Sequence, residues 1–139
     1  MTLSIVVADD HAPFRRSLRA WLEQQADLSV IDEVGSGEQA VEAMATLAAD
    51  QRLPDVLILD LDMRGLGGLG AARRILSSHP RAGILILSWS DDLPFVDAAG
   101  RAGTRGYMLK DDPPPELLTA IREVAAGRTY VSRTLRDAA

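Results

Sequence analysis

The chain of 139 residues contains no cysteine. This absence excludes disulfides, thiolate zinc sites and cysteine nucleophiles. No apolar run approaches the ~20 residues that a membrane-spanning helix needs, so we expect no membrane partner. The first residues also lack the charged segment and the apolar segment of an export signal, and we therefore expect a cytoplasmic protein.

Basic residues are in the minority, since 15 Lys and Arg stand against 20 Asp and Glu and leave a net charge of -5. This balance argues against binding of nucleic acid by the chain itself. Hydrophobic residues make up 47% and charged residues 25%, which is the composition of an ordinary folded domain. The length suits one domain with one core.

Five short apolar runs are rich in Val, Ile and Leu, and three of them are nearly continuous rather than alternating. Such runs are typical of strands that are covered on both faces of a parallel sheet. The predicted strands are residues 3–8, 28–34, 56–60, 83–88 and 104–109.

A helical pattern follows each run. The fourth helix is expected from residue 92 to about residue 102. The boundary signals of the others are Pro13 in a first turn, Ser36 with Gln39 as a capping box, His79 and Pro80 as a stop, Asp112 as a cap, and Gly127 just past an end. Alternating strands and helices predict a doubly wound α/β domain, and right-handed crossovers place its helices on both faces.

Polar side chains collect at the carboxyl ends of these strands, which is where open α/β sheets bind their ligands. Asp9 and Asp10 follow the first strand, Asp60 ends the third, Ser88 ends the fourth, and Lys110 follows the fifth. Taken singly, each is more often a helix cap, a turn residue or a surface charge. Their joint occurrence at one edge of the sheet favours a functional site.

Three carboxylates at one edge repel one another unless a cation lies between them. A hard divalent ion meets this need, and Mg²⁺ is usual where a phosphoryl group also binds. A carboxylate can act as a nucleophile and form an acyl phosphate, whose charge a lysine and a hydroxyl would complement. The set is consistent with an aspartate that accepts a phosphoryl group beside Mg²⁺.

The segments that carry these residues resemble the receiver domains of two-component response regulators. They are residues 5–11 (IVVADDH), 57–63 (LILDLDM), 87–88 (LS) and 106–110 (GYMLK). The resemblance covers residues 3 to about 127, and its last part is most similar to the NarL/LuxR-type subfamily. It implies a flavodoxin-like (βα)5 domain, with a five-stranded parallel sheet of order 2-1-3-4-5.

The resemblance also implies a role for each residue. Asp60 would be the phosphoacceptor, and Asp9 and Asp10 would hold Mg²⁺ together with Asp60 and the backbone carbonyl of Asp62. Ser88 and Lys110 would contact the phosphoryl group. Such a domain is not a conventional enzyme, because it catalyses only its own phosphoryl transfer and dephosphorylation.

Further positions would modulate or transmit the signal. Tyr107 would change rotamer as Ser88 moves, or it would be a half-buried core tyrosine. Arg64 stands where the family usually has proline, and Trp89 stands where small residues are frequent. Trp89 would narrow the path to the acceptor, or it would cover the fourth helix or a dimer surface. The modulating set is Arg64, Trp89, Asp62 and Ser90.

The expected partner is a histidine kinase, and the expected output is a change of the face formed by helix 4, strand 5 and helix 5, with homodimerisation on phosphorylation. Residues 1–127 would form the receiver domain. Residues 128–139 would be a C-terminal tail, or the stub of a linker to a helix-turn-helix effector that is absent from this chain and would supply any DNA binding.

Two alternatives stay open. The first is a receiver-like binding module that works without phosphorylation. The second is a phosphatase of the haloacid-dehalogenase type, since Asp60 and Asp62 match its Asp-x-Asp signature. That signature normally follows the first strand of the chain, and the pair Asp9 and Asp10 would then have no role.

Overall fold

The apolar runs form the strands of one parallel sheet in the computed structural model, which describes residues 2–138. The strands are β1 (Leu3–Ala8), β2 (Leu28–Val34), β3 (Val56–Asp60), β4 (Ile84–Ser88), β5 (Gly106–Leu109) and β6 (Tyr130–Val131). Their order is β2-β1-β3-β4-β5-β6, and every neighbouring pair is parallel. This order carries the carboxyl ends of β1 and β3 to adjacent places on one edge.

Helices cover both faces of the sheet, as the strand pattern predicts. They are α1 (Ala12–Glu23), α2 (Gly37–Ala49), α3 (Gly67–Ser78), α4 (Leu93–Arg101), α5 (Pro114–Ala125) and α6 (Arg133–Ala138). Buried side chains of α1 and α5 pack on one face, and those of α2, α3, α4 and α6 pack on the other. Both faces of β3 are therefore buried, which explains its unbroken apolar sequence.

Several helix ends follow the sequence signals. The Ser36 hydroxyl accepts a hydrogen bond from the Gln39 amide at 3.0 Å and caps α2. Gly127 has φ +84° just past α5, and its amide donates to the Val124 carbonyl. The longest helix between residues 2 and 138 has 13 residues, so none of the described helices is long enough to cross a membrane.

Strand β5 and helix α5 both begin later than expected, for reasons that their hydrogen bonds and prolines show. Strand β5 begins at Gly106 rather than at Thr104, because the Thr104 amide and hydroxyl both donate to the Ala99 carbonyl at the end of α4. Helix α5 begins at Pro114 after Pro113, and Asp112 does not cap it. Pro113 itself precedes a proline and is therefore disfavoured in helical conformation, so it takes the N-cap position in place of Asp112. The Asp112 carboxylate accepts from the Leu109 amide at 2.8 Å.

The prediction of five strands is corrected by β6, which makes the sheet six-stranded. The segment after α5 pairs with β5 through the Tyr130 amide, which donates to the Arg105 carbonyl, and the Ser132 amide, which donates to the Tyr107 carbonyl, both at 2.8 Å. Leu135 of α6 is buried in the core. The sixth strand forms because β5 would otherwise present an unpaired edge, which the tail covers.

Gly68 at the start of α3 allows the loop after β3 to lie against the helix. A Cβ atom on Gly68 would overlap the Asp60 carbonyl oxygen and would lie 2.6 Å from the Leu61 Cα atom. We expect Gly68→Ala to destabilise the protein by about 2–3 kcal/mol, because backbone atoms cannot rotate out of the way. Urea unfolding measures this change.

Gly100→Ala is the matched control, since Gly100 lies exposed in α4 and a Cβ atom there would meet nothing within 4 Å. It should stabilise the protein by about 0.5–1 kcal/mol through helix propensity. Equal stability changes for the two variants would contradict the close approach at Gly68.

Candidate functional site

Three carboxylates meet at the carboxyl edge of the sheet. Asp9 follows β1 and Asp60 ends the neighbouring β3, so the pairing of these strands brings the two side chains together. Asp9, Asp10 and Asp60 each offer a carboxylate oxygen, and these oxygens all lie within 4.8 Å of one another. Asp9 and Asp60 are buried, whereas Asp10 is exposed. The structure thus brings together the acidic residues that the sequence analysis selected.

Lys110 enters the same cluster from the loop after β5. Its Nζ atom lies 2.8 Å from Asp9 Oδ2 and 3.4 Å from Asp60 Oδ1. Only 3% of the lysine side chain is exposed. A buried ammonium group needs such partners, because removing it from water is otherwise unfavourable. One ammonium against three carboxylates leaves the cluster with an excess of negative charge.

This excess of negative charge contributes to a raised pKa of Asp60. Burial, followed by the charge of Asp9, raises the pKa of Asp60 from 3.8 to about 6, and Lys110 and a hydrogen bond from the Asp62 amide partly oppose the rise. A raised pKa means that the native protein binds a proton at Asp60 more readily than the unfolded chain does. A cation in the cluster would compete with that proton.

A series of hydrogen bonds leads from Asp60 to Tyr107. The Asp62 amide donates to Asp60 Oδ1 at 3.2 Å, and the Ser88 hydroxyl donates to Asp62 Oδ2 at 3.2 Å. The Ser90 amide donates to Ser88 Oγ at 3.0 Å, and the Tyr107 hydroxyl donates to the Ser90 carbonyl at 2.8 Å. Ser88 is thus bonded to Asp62 rather than to Asp60, and the buried ring of Tyr107 lies at the far end of the series.

The loop after β3 is fixed by two backbone amides. The Arg64 amide donates to Asp10 Oδ2 at 3.3 Å, and the Leu66 amide donates to Glu38 Oε1 at 3.2 Å. The residue Arg64 is itself exposed. Arg64 therefore contacts the acidic cluster through its main chain.

Two residues of α1 that no sequence motif indicated contact the cluster. Arg15 Nη1 donates to the Asp9 carbonyl oxygen at 2.7 Å, and Arg15 Nε pairs with Glu33 of β2 at 2.9 Å. The ring centroid of Phe14 lies 4.5 Å from Lys110 Nζ. Helix periodicity places Phe14 on the apolar face of α1 with Leu18 and Leu22, but it does not indicate that the ring contacts Lys110.

Trp89 directly follows β4 and is 63% exposed. Its ring lies 6.5 Å from the ring of Phe14 and 6.0 Å from Lys110 Nζ. The indole is therefore at the outer side of the acidic cluster.

The donor set of the cluster consists of carboxylate oxygens, which hard divalent cations prefer. Asp9, Asp10 and Asp60 can hold such an ion, since their oxygens are close enough to share it. Asp60 also has the chemistry of a carboxylate nucleophile, with an ammonium group beside it to offset added negative charge. The site can therefore combine a metal ion with covalent chemistry on an aspartate.

Comparisons with curated proteins point to one family of regulators. The chain is 39% identical over 130 residues to the oxygen regulatory protein NreC of Staphylococcus carnosus, which covers 93% of the chain and 58% of that protein. It is 38% identical over 134 residues to NreC of Staphylococcus epidermidis, covering 96% of the chain and 59% of the relative. The chain thus spans less than two thirds of the length of these relatives.

Solved structures give the same result. A LuxR-family two-component response regulator from Aurantimonas sp. SI85-9A1 superimposes with a TM-score of 0.91 at 30% identity, covering 99% of this chain and 94% of that one. The receiver domain of the putative response regulator NarL from Mycobacterium tuberculosis gives 0.81 at 31% identity, with 91% and 98% covered. Because residues 5–122 also match the response regulator receiver domain, the chain belongs to that family.

Proposed function

We propose that the chain accepts a phosphoryl group on Asp60 from a phosphohistidine of a histidine kinase, with Mg²⁺ as its metal. The Asp60 carboxylate attacks the phosphorus atom, the nitrogen–phosphorus bond breaks, and the departing imidazole takes up a proton. The observation that carries this proposal is the buried carboxylate of Asp60, which lies within reach of two further carboxylates and 3.4 Å from the Lys110 ammonium group.

Each neighbouring group has one task in this transfer. Asp9 and Asp10 would hold Mg²⁺ with Asp60 and the Asp62 backbone carbonyl, and a bound Mg²⁺ would supply positive charge beside the phosphoryl oxygens. Lys110 already contacts Asp60 and pairs with the phosphoryl group once it is attached. The protein thereby catalyses its own modification. It also catalyses the later hydrolysis of the acyl phosphate, in which water attacks the phosphorus atom, the bond to Asp60 breaks and inorganic phosphate is released.

The signal passes through Ser88 and Tyr107. A phosphoryl group on Asp60 adds strong acceptor oxygens, and the Ser88 hydroxyl leaves Asp62 to donate to one of them. This movement breaks the series of hydrogen bonds that ends at the Tyr107 hydroxyl. The aspartyl phosphate thus shifts an existing equilibrium between two arrangements of β5 and its neighbours.

The tail is placed to receive this signal. The Tyr107 carbonyl accepts from the Ser132 amide, so the switch strand β5 is bonded directly to the segment that leaves the domain. We assign residues 1–127 to the receiver and residues 128–139 to a link toward a DNA-binding effector, in keeping with the greater length of the relatives. Because β6 covers the edge of β5, homodimerisation across the α4, β5 and α5 face requires the tail to move.

Four residues modulate the reaction. Asp62 and Ser90 each bond to Ser88 and so set the position from which its hydroxyl moves. Arg64 adds a cation near the acidic edge and fixes Asp10 through its amide. Trp89 covers the outer side of the cluster, where it restricts the approach of small phosphoryl donors.

Phosphorylation on a phosphate-affinity gel tests the proposal. Incubation with phosphoramidate and Mg²⁺ is expected to give a shifted band that is absent in Asp60→Asn and in samples that contain EDTA. Asp62→Asn is the matched control, because it keeps the acceptor and should still give the band. A protein that gives no band with any phosphoryl donor or kinase would instead favour a binding module that works without phosphorylation.

The pH dependence of stability tests the charge excess of the cluster. Since the pKa of Asp60 is raised to about 6, its ionised form destabilises the metal-free native state above that pH. At pH 7.5 we expect Asp60→Asn to be more stable than wild type by on the order of 2–3 kcal/mol. The difference shrinks as the pH falls through 6 toward 4, because wild-type Asp60 then becomes protonated.

Urea unfolding at a series of pH values measures this difference. Saturating Mg²⁺ should remove it at pH 7.5, since the cation offsets the charge that the asparagine lacks. A gap between the two proteins that stays constant from pH 7.5 to pH 4 would show that Asp60 is not the strained carboxylate.

Hydrogen exchange tests the connection to the tail. Treatment of the protein with beryllofluoride and Mg²⁺, which imitates the phosphoryl group, is expected to speed exchange of the Tyr130 and Ser132 amides at least fivefold. Leu135→Ala should give faster exchange without any treatment, because it removes the buried side chain of α6. If these amides exchange in treated wild type no faster than in treated Asp60→Asn, the proposed connection between the switch and the tail is wrong.

A further inference from the structure

Two aromatic rings close the site on the side of Lys110. The Phe14 ring comes from α1 and the Trp89 ring from the residue after β4, and their centroids lie 6.5 Å apart at an angle of 59°. Lys110 Nζ lies 4.5 Å from the first ring centroid and 6.0 Å from the second. These distances fall within the range in which a cation is attracted by an aromatic face.

The Lys110 ammonium group therefore lies between carboxylates and aromatic rings. Carboxylate oxygens of Asp9 and Asp60 lie on its inner side, and the two rings lie on its outer side. A lysine stem is flexible, and its ammonium group normally extends into water. Here the side chain is only 3% exposed, although it leaves the sheet at a loop. The rings exclude the water that would otherwise hydrate the outer side of the ammonium group.

We propose that Phe14 and Trp89 are positioning residues for phosphoryl transfer, acting through cation–π contact with Lys110. This inference rests on the proposed function, since Lys110 is the group that the rings hold beside Asp60. A lysine without the rings spends part of its time in solvent and is then absent when charge develops on the phosphoryl oxygens. Binding of Mg²⁺ does not depend on the rings, because its ligands are the carboxylates.

The two rings should contribute unequally. Phe14 lies closer to the ammonium group and is partly buried, whereas Trp89 lies at the outer limit of the interaction and is mostly exposed. Cation–π attraction is stronger where water is excluded. Loss of the Phe14 ring is therefore expected to slow phosphoryl transfer more than loss of the Trp89 ring.

The experiment measures the rate of Asp60 phosphorylation by phosphoramidate at saturating Mg²⁺, with the Mg²⁺ dissociation constant determined separately by calorimetry. We expect Phe14→Leu to slow transfer roughly tenfold and Trp89→Leu roughly threefold, with the Mg²⁺ dissociation constant unchanged. Phe14→Tyr and Trp89→Phe, which keep an aromatic face, should restore most of the rate. Phe95→Leu is the matched control, because Phe95 is exposed on α4 and has no contact with Lys110.

Fluorinated phenylalanines at position 14 separate ring electrostatics from packing. Each added fluorine weakens the negative face of the ring while nearly preserving its shape, so the logarithm of the rate should fall steadily along the series. Equal rates for Phe14→Leu and Phe14→Tyr, or a flat fluorine series, would overturn the inference.

Nuclear magnetic resonance gives a readout that needs no phosphorylation. The ε-methylene protons of Lys110 should resonate upfield in wild type because they lie near the ring faces, and the shift should be lost in Phe14→Leu. If wild type behaves like Asp60→Asn and accepts no phosphoryl group, the proposed function fails, and this shift alone then decides whether the rings hold the lysine. If the ε-methylene protons of Lys110 show no upfield shift in wild type, the inference is overturned.

Discussion

The ion cluster of Asp9, Asp60 and Lys110 is the interaction on which the site depends. Both carboxylates are buried, and a single ammonium group contacts them. Burying one of these charges alone would be strongly unfavourable, so the fold tolerates the carboxylates only as a group with their cation. The compensation stays incomplete, and the raised pKa of Asp60 is the sign of it. In the proposed function, a metal ion and a phosphoryl group would therefore enter a site that already favours cations and already holds an ammonium group for anions.

The hydrogen bonds of Ser88 are the basis of the proposed transmission of the signal from Asp60 to Tyr107. Ser88 is buried and its hydroxyl has a partner in Asp62, so a phosphoryl group proposed on Asp60 would compete for a hydrogen bond that already exists. A movement of Ser88 would also affect Tyr107, because Ser90 is hydrogen-bonded to both residues. Beyond Tyr107, the proposed connection would continue through the Ser132 amide, which donates to the Tyr107 carbonyl.

Sequence patterns predicted what general rules determine, namely β1–β5, helices on both faces, and carboxylates that meet at one edge. The strand order came from the family resemblance rather than from periodicity. Strand β6 was missed because two residues are too few to form an apolar run, and its pairing depends on the open edge of β5. The contact of Phe14 with Lys110 was not predicted, because helix periodicity indicates the buried face of α1 and not the distant side chain that the ring covers. The start of α5 shifted because consecutive prolines displaced Asp112.

The structure suggests another role for Trp89 than the sequence does. In the sequence Trp89 looks like an obstacle, since small residues are frequent at that place. In the structure its ring adjoins that of Phe14, and both lie near the Lys110 ammonium group, which the proposed reaction would use. An exposed ring that only blocked the site would have no reason to lie near the cation. In this proposal, closure of the site and placement of Lys110 follow from the same contact, and the gain in placement outweighs the restriction of access.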